Sequence, residues 1–95
     1  MFIVSLSYRK PVEEIEAQIV PHRDYLDRYY AEGIFLASGA KTPRTGGVIL
    51  ASGKVSRGRL DAILAEDPFH LHGIADYEII EFSPTKYVPA LEGLL

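Results

Sequence analysis

The chain contains no cysteine. That absence excludes disulfides, thiol nucleophiles and thiolate metal sites at once. Long hydrophobic runs are missing as well. The N-terminal MFIVSLSYRK has an apolar run of only about six residues with no basic residue before it, too short for a spanning helix and unlike a secretory leader. The expected location is therefore cytoplasmic, away from membranes. There is no surplus of positive charge either: the formal net charge is -3, which argues against a general nucleic-acid binder. Repeats and low-complexity segments are absent. What remains is an ordinary globular balance, 47% hydrophobic and 24% charged. Its 95 residues suit a single domain spanning 1–95, short enough to gain stability from a partner chain.

FIVSLSY, Phe2 to Tyr8, is rich in apolar and β-branched residues and stops at Arg9-Lys10-Pro11, as a strand followed by a break would. From Pro11 to Glu32, residues Ile15, Ile19, Tyr25, Leu26, Tyr29 and Tyr30 recur at helical spacing, and Gly33 supplies a stop. Pro21 interrupts the run, so the pattern predicts a short first helix or turn and a main helix from about Pro21 to Glu32. IFLASGA (Ile34 to Ala40) and GGVILAS (Gly46 to Ser52) read as a hairpin around the loop Lys41 to Thr45. Ser56 suits the cap of a helix from Arg57 to Glu66, and DYEIIEF, Asp76 to Phe82, reads as a last strand before a proline-marked tail.

The order β-α-β-β-α-β is that of an α+β, ferredoxin-like fold, with the helices on one face of a four-stranded antiparallel sheet. Phe2, Val4 and Leu6 oppose Ile3 across the first strand, and Tyr77 and Ile79 oppose Ile80 and Phe82 across the last. Apolar side chains on both faces imply burial on both sides. One chain has helices for one face only, so a homodimer packed sheet on sheet is expected, with the tail from residue 84 to 95 near its rim.

This topology gathers residues that are far apart in sequence. If the first strand runs up, the top edge collects Tyr8 and Arg9, His22 and Arg23 at the start of the main helix, and Ser38 and Gly39 at the end of the second strand. It also collects Lys41 and Arg44 in the hairpin loop and Asp67 after the second helix. A helix N-terminus disfavours a protonated His22, and a helix C-terminus leaves Asp67 in want of a donor. An imidazole-carboxylate pair satisfies both. The carboxylate then sets the imidazole's tautomer, and an imidazole is suited to proton transfer near neutral pH.

The same residues have plain structural uses. Asp67-Pro68 suits an N-cap followed by proline at the first position of a turn, and His22 suits a surface site after a proline. Lys41 and Arg44 suit a solvated loop, although beside Gly46-Gly47 they could clamp an anionic group. His70 and His72 have the spacing of two ligands on a strand but lack a supporting acid, so no metal is expected. They read instead as part of a helical turn, one histidine buried and one exposed.

PHRDYL (Pro21 to Leu26), EGIFLASGA (Glu32 to Ala40), GGVIL (Gly46 to Leu50) and EDPFHLHGI (Glu66 to Ile74) followed by YEIIEF resemble, in this order and spacing, the YciI-like or YCII-related family. The resemblance runs from Met1 to about Tyr87. It implies a dimeric α/β barrel and a His-Asp dyad, which falls on His22 and Asp67. The chain departs from the family pattern at Ile19, where many members carry an arginine, leaving Arg9, Arg23 and Arg44 as candidates for that cation. Ala40 stands where a proline is usual, and His72 where an alanine is usual, so neither His70 nor His72 is carried over as catalytic.

The resemblance further implies proton abstraction from a small polar or aromatic substrate, of lyase or dehydrohalogenase type and without a cofactor. His22 is then the expected base, Asp67 its orienting partner, and Ser38, Gly39 and Arg44 the groups holding substrate oxygens. The alternative reading is a noncatalytic module that binds a small ligand in the same pocket.

Overall fold

A computed structural model describes residues 1–95. In chain order its elements are β1 (Phe2–Tyr8), α1 (Val12–Ala17), α2 (Ile19–Ala31), β2 (Phe35–Ala40), β3 (Gly46–Ala51), α3 (Arg57–Leu64), α4 (Pro68–Leu71) and β4 (Ala75–Glu81). A single 3-10 turn, Pro89–Leu91, follows in the tail. The sheet order is β2-β3-β1-β4 with every neighbouring pair antiparallel, an α+β ferredoxin-like architecture. No helix is long and apolar enough to cross a membrane.

The helix boundaries correct the sequence reading in two places that matter for the site. First, α2 begins at Ile19, ahead of Pro21. The first full-turn bond at this end is His22 N–H to the Gln18 carbonyl, so Pro21 lies within the opening turn, where no N–H is required of it. Second, α3 ends at Leu64 rather than Glu66, while Asp67 caps the short helix α4, in line with the cap reading of Asp67-Pro68. Both α2 and α4 stop in the same way. Gly33 (φ 72°) and Gly73 (φ 62°) adopt the left-handed conformation, and the N–H of the next residue, Ile34 or Ile74, reaches back to Tyr29 or Phe69. These turns feed β2 and β4.

The buried positions of α2 are His22, Tyr25, Leu26 and Tyr29, a single helical stripe. His22 therefore rides on the core-facing side of its helix. Strand register sorts the sheet residues, because directly paired residues share a face. Phe2, Val4 and Leu6 align with Ala51, Ile49 and Gly47 on one side and with Glu81, Ile79 and Tyr77 on the other, forming the layer beneath the helices. Ile3, Leu50, Val48 and Ile80 lie on the opposite face, where Ile80 is 50% and Val48 37% exposed. Gly46 is required by close approach: a Cβ there would collide with the Leu6 carbonyl.

A bulge in β2 shapes the upper part of the helix-covered face. Phe35 pairs with Ala51 but Ala37 pairs with Leu50, so Leu36 is an extra residue and the alternation of faces slips by one. Phe35 and Ser38 consequently face the same side despite their odd separation. Without the bulge, Ser38 would point away from the helices.

Candidate functional site

Between α2 and the sheet lies a cavity of about 510 Å³, within the range of small-molecule sites. Leu6, Leu26, Ile49 and Phe69 give it apolar walls, and Tyr8, Tyr30, Ser38, Arg23 and Arg44 supply polar groups. Gly39 and Gly47 contribute backbone to the strand wall.

His22 and Asp67 meet at the inner end. The Nδ1 of His22 is 2.7 Å from Oδ1 of Asp67, whose carboxylate is fully buried. Two further donors hold that carboxylate: the Phe69 N–H to Oδ1 at 3.0 Å and the Tyr77 hydroxyl to Oδ2 at 2.6 Å. Phe69 also stacks on the His22 ring, with centroids 3.8 Å apart. Each residue of Asp67-Pro68-Phe69 thus has a physical role: the acid caps α4, the proline occupies its first turn, and the aromatic ring supports the imidazole.

With an ionised Asp67 accepting from Nδ1–H, the other ring nitrogen carries the free lone pair. The Nε2 of His22 has no hydrogen-bond partner in the protein, yet no side-chain polar atom is both buried and unpaired. It is therefore open to solvent, and His22 lines the cavity. Tyr25 and Tyr77 flank the carboxylate. Burial first, and then the Asp67 charge, pushes both phenols above their ordinary pKa, so they remain protonated.

The predicted binding residues separate into those that reach the cavity and those that do not. Ser38, Gly39 and Arg44 line it, and the Ser38 hydroxyl lies 2.5 Å from that of Tyr30. Arg44 is engaged with Glu16 across the mouth, a hydrogen bond that raises its pKa further and uses part of its donor fork. Of the candidate replacement cations, Arg23 and Arg44 face the cavity, whereas Arg9 pairs with Asp76 elsewhere. Lys41 reaches towards Ser7 instead. The expectation that one of His70 and His72 is buried was wrong: both are exposed, because only Phe69 of α4 turns into the core. Tyr77 and Tyr30 are the site residues that sequence reasoning missed.

The sequence profile of the YCII-related domain matches residues 1–83. The chain belongs to the YCII-related family. Among solved structures, this YCII-related chain is similar to 5-chloro-2-hydroxyhydroquinone dehydrochlorinase from Burkholderia phenoliruptrix AC1100, determined in complex with 2,5-dihydroxybenzoquinone. The match has a TM-score of 0.71 and 15% identity, covering 87% of this chain and 94% of that one. At this identity the likeness establishes the shared fold. No curated protein sequence matches the chain.

Proposed function

We propose that this YCII-related protein is an enzyme that moves a proton on a small polar or aromatic substrate held in the cavity. The observation that carries the reading is the His22–Asp67 pair, with Nδ1 committed to a buried carboxylate and Nε2 open at the cavity. Nε2 removes a proton from a carbon adjacent to an electron-withdrawing group, and Asp67 orients the ring and stabilises the imidazolium that forms. Ser38, the Gly39 backbone and the free donors of Arg44 hold substrate oxygens. If both that carbon and its neighbour are saturated, as in the keto tautomer of a hydroxylated ring, and the neighbour bears chloride, an elimination follows: the C–H bonding pair becomes the second bond of C=C, the proton stays on His22 and chloride leaves with the C–Cl pair. A structural neighbour that is a dehydrochlorinase supports elimination over other proton transfers. The reading requires no cofactor. It includes a homodimer packed through the open sheet face, with residues 1–95 as one domain and the tail near the rim.

A second reading, a noncatalytic ligand-binding module, draws support from Asp67 itself. Its burial is accounted for by capping α4 and accepting from Tyr77, without any chemistry. One experiment separates the readings. Hydroxylated quinones and chlorinated phenols are screened by thermal shift, and hits are followed for chloride release and substrate loss with wild type and His22→Ala. The enzyme reading expects turnover that falls by about 10²- to 10⁴-fold in the variant. Binding without turnover in either protein would favour the module.

A further inference from the structure

Asp67 is an unusual anion in this fold. It is fully buried, and its sole ion-pair partner is His22, which is charged only when protonated. The arginines of the surrounding elements are engaged elsewhere, Arg28 with Glu66, Arg9 with Asp76 and Arg57 with Asp61, and none pairs with Asp67. Around it stand Tyr25 from α2, Glu66 from the α3–α4 link and Tyr77 from β4, with His70 of α4 edge-on to the Tyr77 ring. None of these is a permanent cation. A buried carboxylate without a cation stays ionised only if hydrogen-bond donors compensate for the lost water.

We infer that Tyr77 is a positioning residue for His22: by donating to Oδ2 of Asp67 it keeps that carboxylate ionised, and so holds the imidazole proton on Nδ1. Oδ1 already accepts from Phe69 N–H and faces His22 Nδ1, so Oδ2 depends on Tyr77 alone. Remove the phenol oxygen and Oδ2 becomes an unpaired buried anionic atom. The carboxylate is neutralised by one proton taken from solvent. Carried on Oδ1, the oxygen that faces His22, that proton is donated to Nδ1, the single imidazole hydrogen then sits on Nε2, and the nitrogen open at the cavity ceases to be a base. β4 fixes the placement, because Tyr77 pairs in register with Leu6 on the helix-covered face and so projects towards α4.

The inference rests on the proposed role of His22, but its test needs no substrate. Nitrogen-15 NMR of the ligand-free, full-length chain reads the protonated ring nitrogen and the titration of His22 in wild type, Tyr77→Phe and Tyr25→Phe. Tyr25 is the control, since its hydroxyl donates to the Ile63 carbonyl and not to Asp67. Expected are an Nδ1–H ring in wild type and Tyr25→Phe, and a ring at least half Nε2–H in Tyr77→Phe. An Nε2–H ring in wild type overturns the inference whatever the variants do. So does an unchanged ring in folded Tyr77→Phe, or an equal change in both variants. Failure of the turnover assay with a tautomer shift in Tyr77→Phe would sink the enzyme reading and leave the positioning role standing.

Discussion

His22 lies flat on Phe69, the two ring planes only 3° from parallel. The same Phe69 donates its backbone N–H to the carboxylate that His22 contacts. One residue therefore braces both members of the pair, one through its ring and the other through its backbone, and the geometry of the dyad depends on how well Phe69 is packed.

Truncating Phe69 should consequently cost more than its own burial. Phe69→Ala is expected to lower unfolding free energy by about 3–5 kcal/mol, because it leaves a cavity beneath His22. Phe69→Leu retains most of the apolar volume and keeps the backbone cap, so its cost should be about 1.5 kcal/mol or less. Urea denaturation monitored by tyrosine fluorescence measures both. Equal losses for the two variants would show that volume under the imidazole is not what matters.

The meeting of His22 and Asp67 was legible because strand and helix directions alone bring the start of α2 and the residues after α3 to one edge. Ser38 was placed at the same edge, but the face it occupies and the part played by Tyr77 were hidden for physical reasons. Ser38 sits an odd number of residues from Phe35, and strict alternation puts the two on opposite faces; only pairing with β3 reveals the bulge at Leu36. Tyr77 was legible as a sheet residue and Asp67 as the cap of a turn, but the bond between them depends on how β4 packs against α4, which neither segment shows alone. The start of α2 was misplaced because Pro21 reads as a boundary although the opening turn tolerates it.

Ser38 offers a clean test of the bulge's purpose. Its hydroxyl is exposed at the cavity and touches only Tyr30, so Ser38→Ala should change stability by no more than about 0.5 kcal/mol. A ligand whose oxygen bonds that hydroxyl should bind about tenfold more weakly to the variant. Isothermal titration with a hit from the thermal-shift screen gives the affinity. Unchanged affinity would remove Ser38 from the binding groups.

The open sheet face makes a separate prediction about assembly. Ile3, Leu50, Val48 and Ile80 share it with Ser5 and Glu78, and the half-exposed Ile80 is the most accessible of its four aliphatic side chains. Sedimentation equilibrium at micromolar concentration should report a dimer for wild type and a monomer for Ile80→Lys, since a charge in a dry interface must be desolvated without a partner. A monomeric wild type would remove the dimer from the proposal.

The tyrosines around Asp67 make stability fall at alkaline pH. Tyr25 and Tyr77 have folded pKa values raised above the ordinary 10.0, by burial first and by the Asp67 charge second. The unfolded phenols ionise near 10, so above that pH the native state holds protons that the unfolded state has released, and stability falls as pH rises. Below it both states are protonated and neither tyrosine makes stability depend on pH. Each should add a slope of about -1.4 kcal/mol per pH unit above pH 10, roughly -2.7 for the two together. Tyr29 is raised as well, by burial and by its bond to Glu66, so urea midpoints measured between pH 9 and 11.5 should be level and then decline, less steeply in Tyr77→Phe than in wild type. A Tyr77→Phe slope equal to that of wild type would mean that the Tyr77 phenol ionises in the folded protein as readily as in the unfolded chain.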